Sequence, residues 1–344
     1  MIFDLPEWDD HEGLHLLTDA ASGLRAVVAV HSTALGPGGG GTRLWSYPSD
    51  ELAVRDALRL SRAMSYKNAM AGLRLGGGKG VILRPEGAFD RVALFEAYGR
   101  ALEACGGSYK TAEDVGVGPA DMDVIATQTA HVAGVTQGPN ASGDPSPHTA
   151  RGVFLGLCEA LRFAGLGEVA GVRVAVQGLG SVGFGLAKHL AAAGAELVVA
   201  DIDADAVERA VAELGATVVG VDVIHAQEVD VFAPCALSHA VRADTVEAIR
   251  ARVVCGGANN QLADGMGERL RERGVVYAPD YVVNAGGIIN VASELSGAYD
   301  VGWVRGKVEL IPGTLREVLE AAEREGVPPG AMADAMARER IGGG

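Results

Sequence analysis

The segment from residue 172 to residue 203 constrains the fold more than any other part of this chain. It reads as an apolar strand (VRVAVQ), a glycine-rich turn, a helix, a second apolar strand and an acidic residue. Gly178, Gly180 and Gly183 form a G-x-G-x-x-G pattern directly after the first strand and at the start of the helix. Together these features predict a βαβ unit, and therefore a parallel sheet covered by helices on both faces.

The glycine turn is suited to the pyrophosphate of a dinucleotide. Glycines let the ligand approach the backbone and a helix N-terminus attracts anions, so Ser181 and Val182 belong to the same predicted segment. Asp201 ends the next strand, where a carboxylate can accept hydrogen bonds from both adenosine ribose hydroxyls. A 2′-phosphate would meet like charge there and no obvious arginine, which favours NAD over NADP, with Asp203 as the second candidate. The alternative is that the glycines serve only the turn.

Residues 137–147 (QGPNASGDPSP) mark the expected boundary between two domains, because clusters of Gly, Pro, Asn and Ser often join domains. A chain of 344 residues is long enough for two separate cores. Before the boundary, a strand at 23–32 precedes a helix that begins after Ser49, with further strand and helix patterns at 81–83 and 91–105. We predict an α/β fold with two domains, the second a Rossmann-type doubly wound domain, separated by a cleft.

Composition and charge exclude several classes of function. The formal net charge is −15, whereas nucleic-acid binding needs clustered Lys and Arg. The first residues, MIFDLPEWDD, do not resemble a signal peptide, and no apolar run is long enough for a membrane span, so we expect a cytosolic protein. The cysteines form no CxxC pair and the histidines no HExxH pattern, so we expect no metal site and no disulfide, with reduced and buried thiols at Cys105, Cys158, Cys235 and Cys255.

Four motifs rich in glycine, lysine or acidic residues stand out in the first half of the chain. They are GPGGGGTR at 36–43, YKNAM at 66–70, GGGKG at 76–80 and TAEDVG at 111–116. We expect the glycine runs to form turns whose backbone N–H groups bind an anion such as a carboxylate. GGGKG is not a P-loop, since Leu73 and Gly80 stand where a glycine and a Ser or Thr are required, which disfavours phosphoryl transfer.

These four motifs resemble the Glu/Leu/Phe/Val dehydrogenase family over nearly the whole chain. The resemblance implies that Lys67 pairs with the substrate α-carboxylate beside the backbone N–H of Gly40, and that Lys79 and Asp114 perform acid–base catalysis. It also implies that residues 1–145 bind substrate and form a homo-oligomer, and that residues 146–317 bind NAD. The C-terminal helix, 318–344, is expected to pack back on the first domain.

The second domain contains further segments that look like the family's cofactor and cleft segments, namely QGLGSVG, ADID, FAPCAL, GGANNQL and PDYVVNAGGIINV. Asn260 matches the residue that contacts the substrate or the nicotinamide ring edge. Ser238 and His148 depart from the usual pattern, which bears on the detailed cofactor geometry. The resemblance assigns cofactor contacts to Thr149, Cys235, Ala236, Asn259 and Asn284.

The implied reaction explains why these residue types are needed. Hydride leaves Cα for the nicotinamide, and water must then attack the resulting iminium, so the site needs a base for the water and a group that exchanges protons with the nitrogen. Lys79 can act as the base only if its pKa is lowered, which burial and the nearby Lys67 would favour. Asp114 would then relay protons to and from the nitrogen.

The predicted side-chain pocket indicates an apolar substrate. Glutamate enzymes of the family have a lysine where this chain has Gly39, and a serine where it has Val291. With Ala112 and Ile288 as the other lining residues, a buried substrate carboxylate would have no partner, at a cost of several kcal/mol. Leucine, valine, isoleucine and phenylalanine all remain candidates. The alternatives are a glutamate dehydrogenase or a non-catalytic protein that senses NAD.

Overall fold

The computed structural model describes residues 2–138, 141–236 and 238–343, which fold as two units. The first unit contains the chain up to Gly143, residues Ile288–Trp303 and the chain from Ala337 onward; the second contains Asp144–Gly287 and Val304–Met336. The sequence placed the boundary at 145 and expected no return of the chain before residue 318. Ile288–Trp303 joins the first unit because buried polar side chains on this segment form hydrogen bonds there.

The first unit is built on a mixed sheet of five strands in the order β1-β2-β4-β3-β5. Strands β1 and β2, and β2 and β4, pair antiparallel, whereas β3 pairs parallel with both β4 and β5. The strands are β1 (Gly13–Asp19), β2 (Leu24–Ser32), β3 (Gly38–Trp45), β4 (Gly76–Leu83) and β5 (Tyr109–Ala112), and the helices are α1 (Asp50–Met70), α2 (Arg91–Ala104) and α3 (Pro119–Ala126).

Helices cover both faces of this sheet. Along β2, Val27 and Ala29 pack with α1, whereas Val28 and Val30 face the core that includes α2 and α3, as the two-residue period of a strand requires. Helix α1 begins as predicted, because the Ser49 side chain accepts a hydrogen bond from the Leu52 N–H.

The glycine runs are strands, so the prediction of turns was wrong. GGGG lies in β3 and GGGK in β4, with Gly39 paired to Gly77 in a parallel register. A Cβ added to Gly77 would lie 2.1 Å from Ser65 Oγ, and one added to Gly40 would lie 2.0 Å from the Gly78 carbonyl oxygen. The glycines are therefore needed because α1 and the neighbouring strand approach too closely for any side chain.

The second unit is the predicted doubly wound domain. Its sheet of six strands has the order β11-β10-β9-β6-β7-β8, and each recorded pairing is parallel. This order, with the first strand of the unit in the middle, is the dinucleotide-binding arrangement. The strands are β6 (Arg173–Gln177), β7 (Glu196–Ala200), β8 (Thr217–Val218), β9 (Val231–Pro234), β10 (Val253–Val254) and β11 (Val276–Tyr277), and the helices are α4 (Ser146–Phe163), α5 (Ser181–Ala192), α6 (Ala204–Leu214), α7 (Met266–Glu272) and α8 (Asp280–Val283).

Four helices complete the chain: α9 (Gly286–Leu295), α10 (Val301–Val308), α11 (Ile311–Glu325) and α12 (Pro329–Gly342). Helix α11 belongs to the second unit, where Arg316 donates to the carboxylate of Glu159 on α4 at 2.6 Å. The chain from Ala337 joins the first unit, where Arg338 donates to the Tyr66 hydroxyl at 2.9 Å. The C-terminal segment thus divides between the two units.

Candidate active site

In the first unit, the structure brings Lys79 and Asp114 into direct contact. The Lys79 ammonium, which is 6% exposed on β4, donates a hydrogen bond to Oδ2 of Asp114, which follows β5. Burial lowers the pKa of Lys79 below its ordinary value, against the opposing attraction of Asp114. Burial alone would raise the pKa of Asp114, but the charges of Lys79 and Arg43 outweigh it and hold that pKa below its usual value. The pKa values of both members of the pair are therefore lowered by their surroundings.

Helix α1 positions Lys67 through its neighbour, Asn68. The Asn68 side chain is fully buried and donates hydrogen bonds to the carbonyl oxygens of Gly39, at 3.3 Å, and Gly76, at 2.6 Å. These bonds fix the last turns of α1 on β3 and β4, while the Lys67 side chain remains partly exposed. Asn68 was not predicted from the sequence, because the glycine runs that it packs against were expected to form turns and not strands.

Three other predicted site residues of the first unit, Gly39, Gly40 and Ala112, lie on adjacent strands of its sheet. Gly39 and Gly40 are buried on β3, and Ala112 is buried at the end of β5. Strands β3 and β5 pair with Gly40 opposite Thr111 and Gly41 opposite Ala112. Gly39 and Gly40 thus lie on the strand next to that of Lys79, and Ala112 lies on the strand beyond it.

A buried hydroxyl cluster, which the sequence analysis missed, fixes the same strands. The Thr42 hydroxyl is hydrogen-bonded to the hydroxyls of Tyr98 and Thr111, each at 2.7 Å, and the Tyr109 hydroxyl donates to the Gly40 carbonyl oxygen at 2.7 Å. Each buried hydroxyl thereby has a partner, which avoids the cost of an unpaired polar group. The cluster holds β3 and β5 in register at Gly40.

Arg43 and Asp56 form a second charged pair next to Asp114, also missed from the sequence. Arg43 Nη1 donates to Asp56 Oδ2 at 2.9 Å, and Arg43 Nε lies 3.5 Å from Asp114 Oδ2. Arg43 is on β3 and Asp56 on α1, so the pair joins two elements of the site. The spacing of these residues in the sequence does not predict the contact, because it forms only when the helix packs on the sheet.

Helix α9 carries Ile288, which is 8% exposed, and Val291, which is partly buried. Its C-terminal end is tied to β5 because Lys110 donates to the Leu295 carbonyl oxygen at 3.1 Å, and Lys110 is the register partner of Gly39. The helix that carries two predicted pocket residues is therefore attached to the edge strand β5, which carries Ala112 and pairs with the strand that carries Gly39.

A buried carboxylate holds the same helix. Glu294 is 4% exposed and accepts hydrogen bonds from the backbone N–H of Gly134, at 2.5 Å, and of Ser142, at 3.2 Å. Asn290, one turn earlier, donates to the Ser142 hydroxyl at 2.5 Å and accepts from the Tyr299 hydroxyl at 2.9 Å. These bonds explain why the chain after residue 287 belongs to the first unit.

In the second unit, the glycine turn has the structure that a bound pyrophosphate needs. Gly178 has a φ of +97°, Gly180 is the N-cap of α5, and a Cβ added to Gly183 would lie 2.0 Å from the Gly178 carbonyl oxygen. No atom lies within 4 Å of a Cβ added to Gly180, so this side of the turn is open. Ser181 and Val182 form the first turn of α5, where backbone N–H groups are available to an anion.

The two acidic candidates for the ribose have different surroundings. Asp201 directly follows β7, and its carboxylate accepts hydrogen bonds from the N–H of Leu179, in the glycine turn, and of Asp203. Asp203 instead caps α6, accepting from Asp205 N–H at 3.0 Å. Asp201 is therefore attached to the predicted phosphate-binding turn, whereas the Asp203 side chain is engaged in the start of a helix.

Cys235 and Ala236 lie at the end of β9 against the glycine turn. A Cβ added to Gly178 would lie 2.8 Å from the Ala236 backbone nitrogen, and the Gly257 N–H donates to Cys235 Sγ at 3.3 Å. The four thiols are free, but only Cys255 is buried and the other three are partly exposed, so the prediction of uniform burial was wrong.

The asparagine segments meet at Asn284, which is 3% exposed. Its side chain donates to Asn259 Oδ1 at 2.9 Å and to the Gly257 carbonyl oxygen at 3.2 Å, whereas its own Oδ1 is buried without a hydrogen-bond partner. Asn260 is exposed and adopts a left-handed conformation with a φ of +51°. An unpaired buried oxygen and an open glycine turn fit a polar ligand that supplies a donor and an anion, which a dinucleotide does.

Thr149 lies in the first turn of α4, and Gly286 and Gly287 pack directly against it. Cβ atoms added to these glycines would lie 2.1 Å from the His148 carbonyl oxygen and 3.0 Å from Thr149 Oγ1, respectively. His148 is partly exposed and Ser238 is exposed.

The described residues contain neither a candidate metal site nor a candidate membrane-spanning helix. Across residues 2–138, 141–236 and 238–343, no cluster of His, Cys, Asp or Glu could hold a metal ion. None of the helices in these ranges is both long and apolar enough to cross a membrane.

Comparison with known proteins identifies the family. The profile of the Glu/Leu/Phe/Val dehydrogenase dimerisation domain matches residues 14–131, and that of Glutamate/Leucine/Phenylalanine/Valine dehydrogenase matches residues 142–338. Leucine dehydrogenase from Bacillus subtilis is 46% identical over 99% of this chain and 94% of its own length, and valine dehydrogenase from Streptomyces coelicolor is 45% identical over 96% and 92%. The crystal structure of L-tryptophan dehydrogenase from Nostoc punctiforme is 37% identical with a TM-score of 0.85, covering 97% of this chain and 96% of that one. The two family profiles, the sequence relatives and the solved structure therefore indicate the same family as the motifs. The chain belongs to the Glu/Leu/Phe/Val dehydrogenase family.

Proposed function

We propose that this protein catalyses the reversible, NAD-dependent oxidative deamination of a branched-chain or aromatic L-amino acid to its 2-oxo acid and ammonium. Family membership already makes it an amino-acid dehydrogenase that uses a nicotinamide cofactor. The observation that carries the proposal is the buried Lys79–Asp114 pair on a sheet whose neighbouring strand offers glycines, and no cation, at positions 38–41.

The chemistry assigns one task to each charged side chain. When bound, the nicotinamide accepts the hydride that leaves the substrate Cα. Lys67 holds the substrate carboxylate, with the Gly40 N–H as a second donor. Neutral Lys79 removes a proton from the water that attacks the iminium carbon, and Asp114 exchanges protons with the nitrogen as the C–N bond breaks and ammonia leaves. Burial lowers the pKa of Lys79 and so favours its neutral form, which supports this role.

The proposed substrate class rests on what faces the side chain. Gly39 and Ala112 contribute no polar side-chain atom, and Ile288 and Val291 on α9 are aliphatic. A glutamate side chain buried among them would lose its hydration without gaining a partner, which costs several kcal/mol. Leucine and valine dehydrogenases are among the relatives, and an L-tryptophan dehydrogenase is among the solved structures, which supports apolar substrates of more than one size.

NAD is proposed over NADP because of Asp201. Its carboxylate is fixed by the Leu179 N–H of the glycine turn, so its negative charge would face a 2′-phosphate placed there. The same carboxylate can accept hydrogen bonds from two free ribose hydroxyls.

We also propose that the protein assembles into a homo-oligomer through its first unit. The profile that matches residues 14–131 is that of a dimerisation domain. Light scattering after size-exclusion chromatography would test this, since a mass of 35.3 kDa would contradict it.

A panel of amino acids with NAD, followed by the absorbance of NADH, tests the proposed function. We expect kcat/KM for leucine, valine, isoleucine or phenylalanine to exceed that for glutamate by more than about a hundredfold, the equivalent of burying an unpaired carboxylate. Comparable activity with glutamate would overturn the substrate class, and no activity with any amino acid would overturn the reaction.

A further inference from the structure

We propose that Arg43, held in place by Asp56, is a positioning residue that orients the Asp114 carboxylate and sets the charge around Lys79. This inference rests on the proposed acid–base roles of Lys79 and Asp114. It adds two positioning residues, Arg43 and Asp56, to the proposed Lys79–Asp114 pair.

The geometry of Arg43 differs from that of an ordinary ion pair. Its Nη1 donates to Asp56 at 2.9 Å, but its Nε, 3.5 Å from Asp114 Oδ2, is buried without a hydrogen-bond partner. Lys79 donates to that same Oδ2. Arg43 therefore gives Asp114 a nearby positive charge while leaving the hydrogen-bonding capacity of its carboxylate to Lys79 and to a substrate nitrogen.

Asp56 is the group that keeps Arg43 in this position. Its side chain is 14% exposed and accepts hydrogen bonds from the Tyr47 hydroxyl, at 2.6 Å, and from Arg59, at 2.8 Å, besides that from Arg43. Three donors from α1, β3 and the loop after β3 thus fix one carboxylate. Because the Asp56 carboxylate is so constrained, Arg43 cannot move closer to Asp114 without losing its bond to Asp56.

The charged and titratable groups around the pair determine the sign of the effect. Asp114 faces Lys79 from the loop after β5, Arg43 faces it from β3 and Asp56 from α1, and the Tyr109 hydroxyl on β5 also faces Asp114. Arg43 disfavours the ammonium form of Lys79, and Asp56 favours it. Arg43 also favours the ionised form of Asp114.

Removing the charge of Arg43 should therefore move the pH profile in a predictable direction. Without the nearby cation, the pKa of Lys79 rises, and the base is neutral only at higher pH. The acidic limb of kcat/KM against pH should shift upward in Arg43→Met by about one pH unit, as expected for loss of a nearby like charge. Removing the negative charge in Asp56→Asn should shift the same limb downward.

The experiment measures kcat and KM from pH 6 to pH 11 for the wild type, Arg43→Met, Arg43→Lys and Asp56→Asn. Arg43→Lys keeps the positive charge but lacks the planar guanidinium with its paired donors. The acidic limb of its pH profile should therefore lie between those of the wild type and Arg43→Met. A matched control is Arg25→Met, since Arg25 forms an exposed pair with Asp50 at 2.5 Å on the surface of the same unit. We expect kcat to fall more than KM rises in Arg43→Met, because a misoriented acid–base pair affects the reacting complex.

Superimposable profiles for Arg43→Met and the wild type, or shifts of the same sign in Arg43→Met and Asp56→Asn, would overturn the proposal. If Arg43→Met does not fold, the opposing shifts of Arg43→Lys and Asp56→Asn decide the question. Lys79→Ala distinguishes a failure of the acid–base roles from a failure of the Arg43 role. An active Lys79→Ala enzyme would refute the proposed acid–base roles themselves, whereas an inactive one with an unshifted Arg43→Met profile would refute only the role of Arg43.

Discussion

Lys110 and Gly39 are register partners on adjacent parallel strands, and the Lys110 side chain reaches from this position to the carbonyl oxygen that ends α9. The contact joins the edge strand β5, next to the strand that carries Gly39, to the helix that carries Ile288 and Val291. Residues separated by about 250 positions in the sequence thereby belong to one predicted side-chain pocket. Substitutions on the sheet and on α9 can each test this pocket.

Gly39→Ala tests the sheet side of the pocket. The added Cβ would lie 3.1 Å from Leu75 Cδ1, so Leu75 must move, and backbone strain is not expected because Gly39 has no positive φ. Overpacking of about 1 to 2 kcal/mol should reduce kcat/KM for phenylalanine relative to valine by roughly 5- to 30-fold. Steady-state kinetics with both substrates measure the ratio. The double variant with Leu75→Ala should recover it, and an unchanged ratio in the single variant would remove Gly39 from the pocket.

Glu294→Ala tests the helix side through stability. It leaves the buried N–H groups of Gly134 and Ser142 without their acceptor, which should lower the free energy of unfolding by about 1 to 3 kcal/mol. Glu86→Ala, at an exposed glutamate of the same unit, is the control and should have little effect. Urea unfolding followed by circular dichroism measures the difference. Equal midpoints for the two variants would mean that Glu294 does not hold α9.

Lys67→Ala should weaken the substrate anchor. Loss of a charge-assisted bond to the substrate carboxylate affects the bound ground state and the transition state together, by about 2 to 3 kcal/mol. The KM for the amino acid should therefore rise by about 30- to 150-fold, with a smaller change in kcat. Initial rates against amino-acid concentration provide the measurement. A KM equal to that of the wild type would assign the carboxylate to another cation.

Asp201→Asn should narrow the preference for NAD over NADP. The amide keeps an acceptor for the Leu179 N–H but removes the charge that repels a 2′-phosphate. Asp203→Asn is the matched control, since asparagine caps a helix as well as aspartate does and the start of α6 is preserved. The measurement is the ratio of kcat/KM with NAD to kcat/KM with NADP for each variant. A change in Asp203→Asn alone would transfer the ribose contact to Asp203.

The sequence allowed accurate prediction where the contacts are local. The βαβ unit from 172 to 203 depends on glycines, a helix start and an acid within one short segment, and the structure has each of them at the predicted residue. The N-cap at Ser49 was predictable for the same reason, because its partner is three residues away.

The sequence was misleading where a residue type has more than one use. GGGG and GGGK suggested turns, because glycine is common in turns, but at Gly40 and Gly77 glycine is needed for the close approach of strands and of α1. Only the packing of distant segments distinguishes the two uses. Arg43, Asn68 and Glu294 were missed for a related reason, since an isolated polar residue gives no sign in the sequence of the buried partner that it will find.

The most direct test of the account is the kcat of Lys79→Ala with its best amino acid and NAD. Lys79 is buried, its pKa is lowered, and it contacts Asp114, so its loss should reduce kcat by about 10²- to 10⁴-fold. Binding of NAD, measured by calorimetry, should remain close to that of the wild type, and the exposed Lys188→Ala control should keep full activity. Retention of most of the wild-type kcat by Lys79→Ala would contradict the account, because the base would then lie elsewhere.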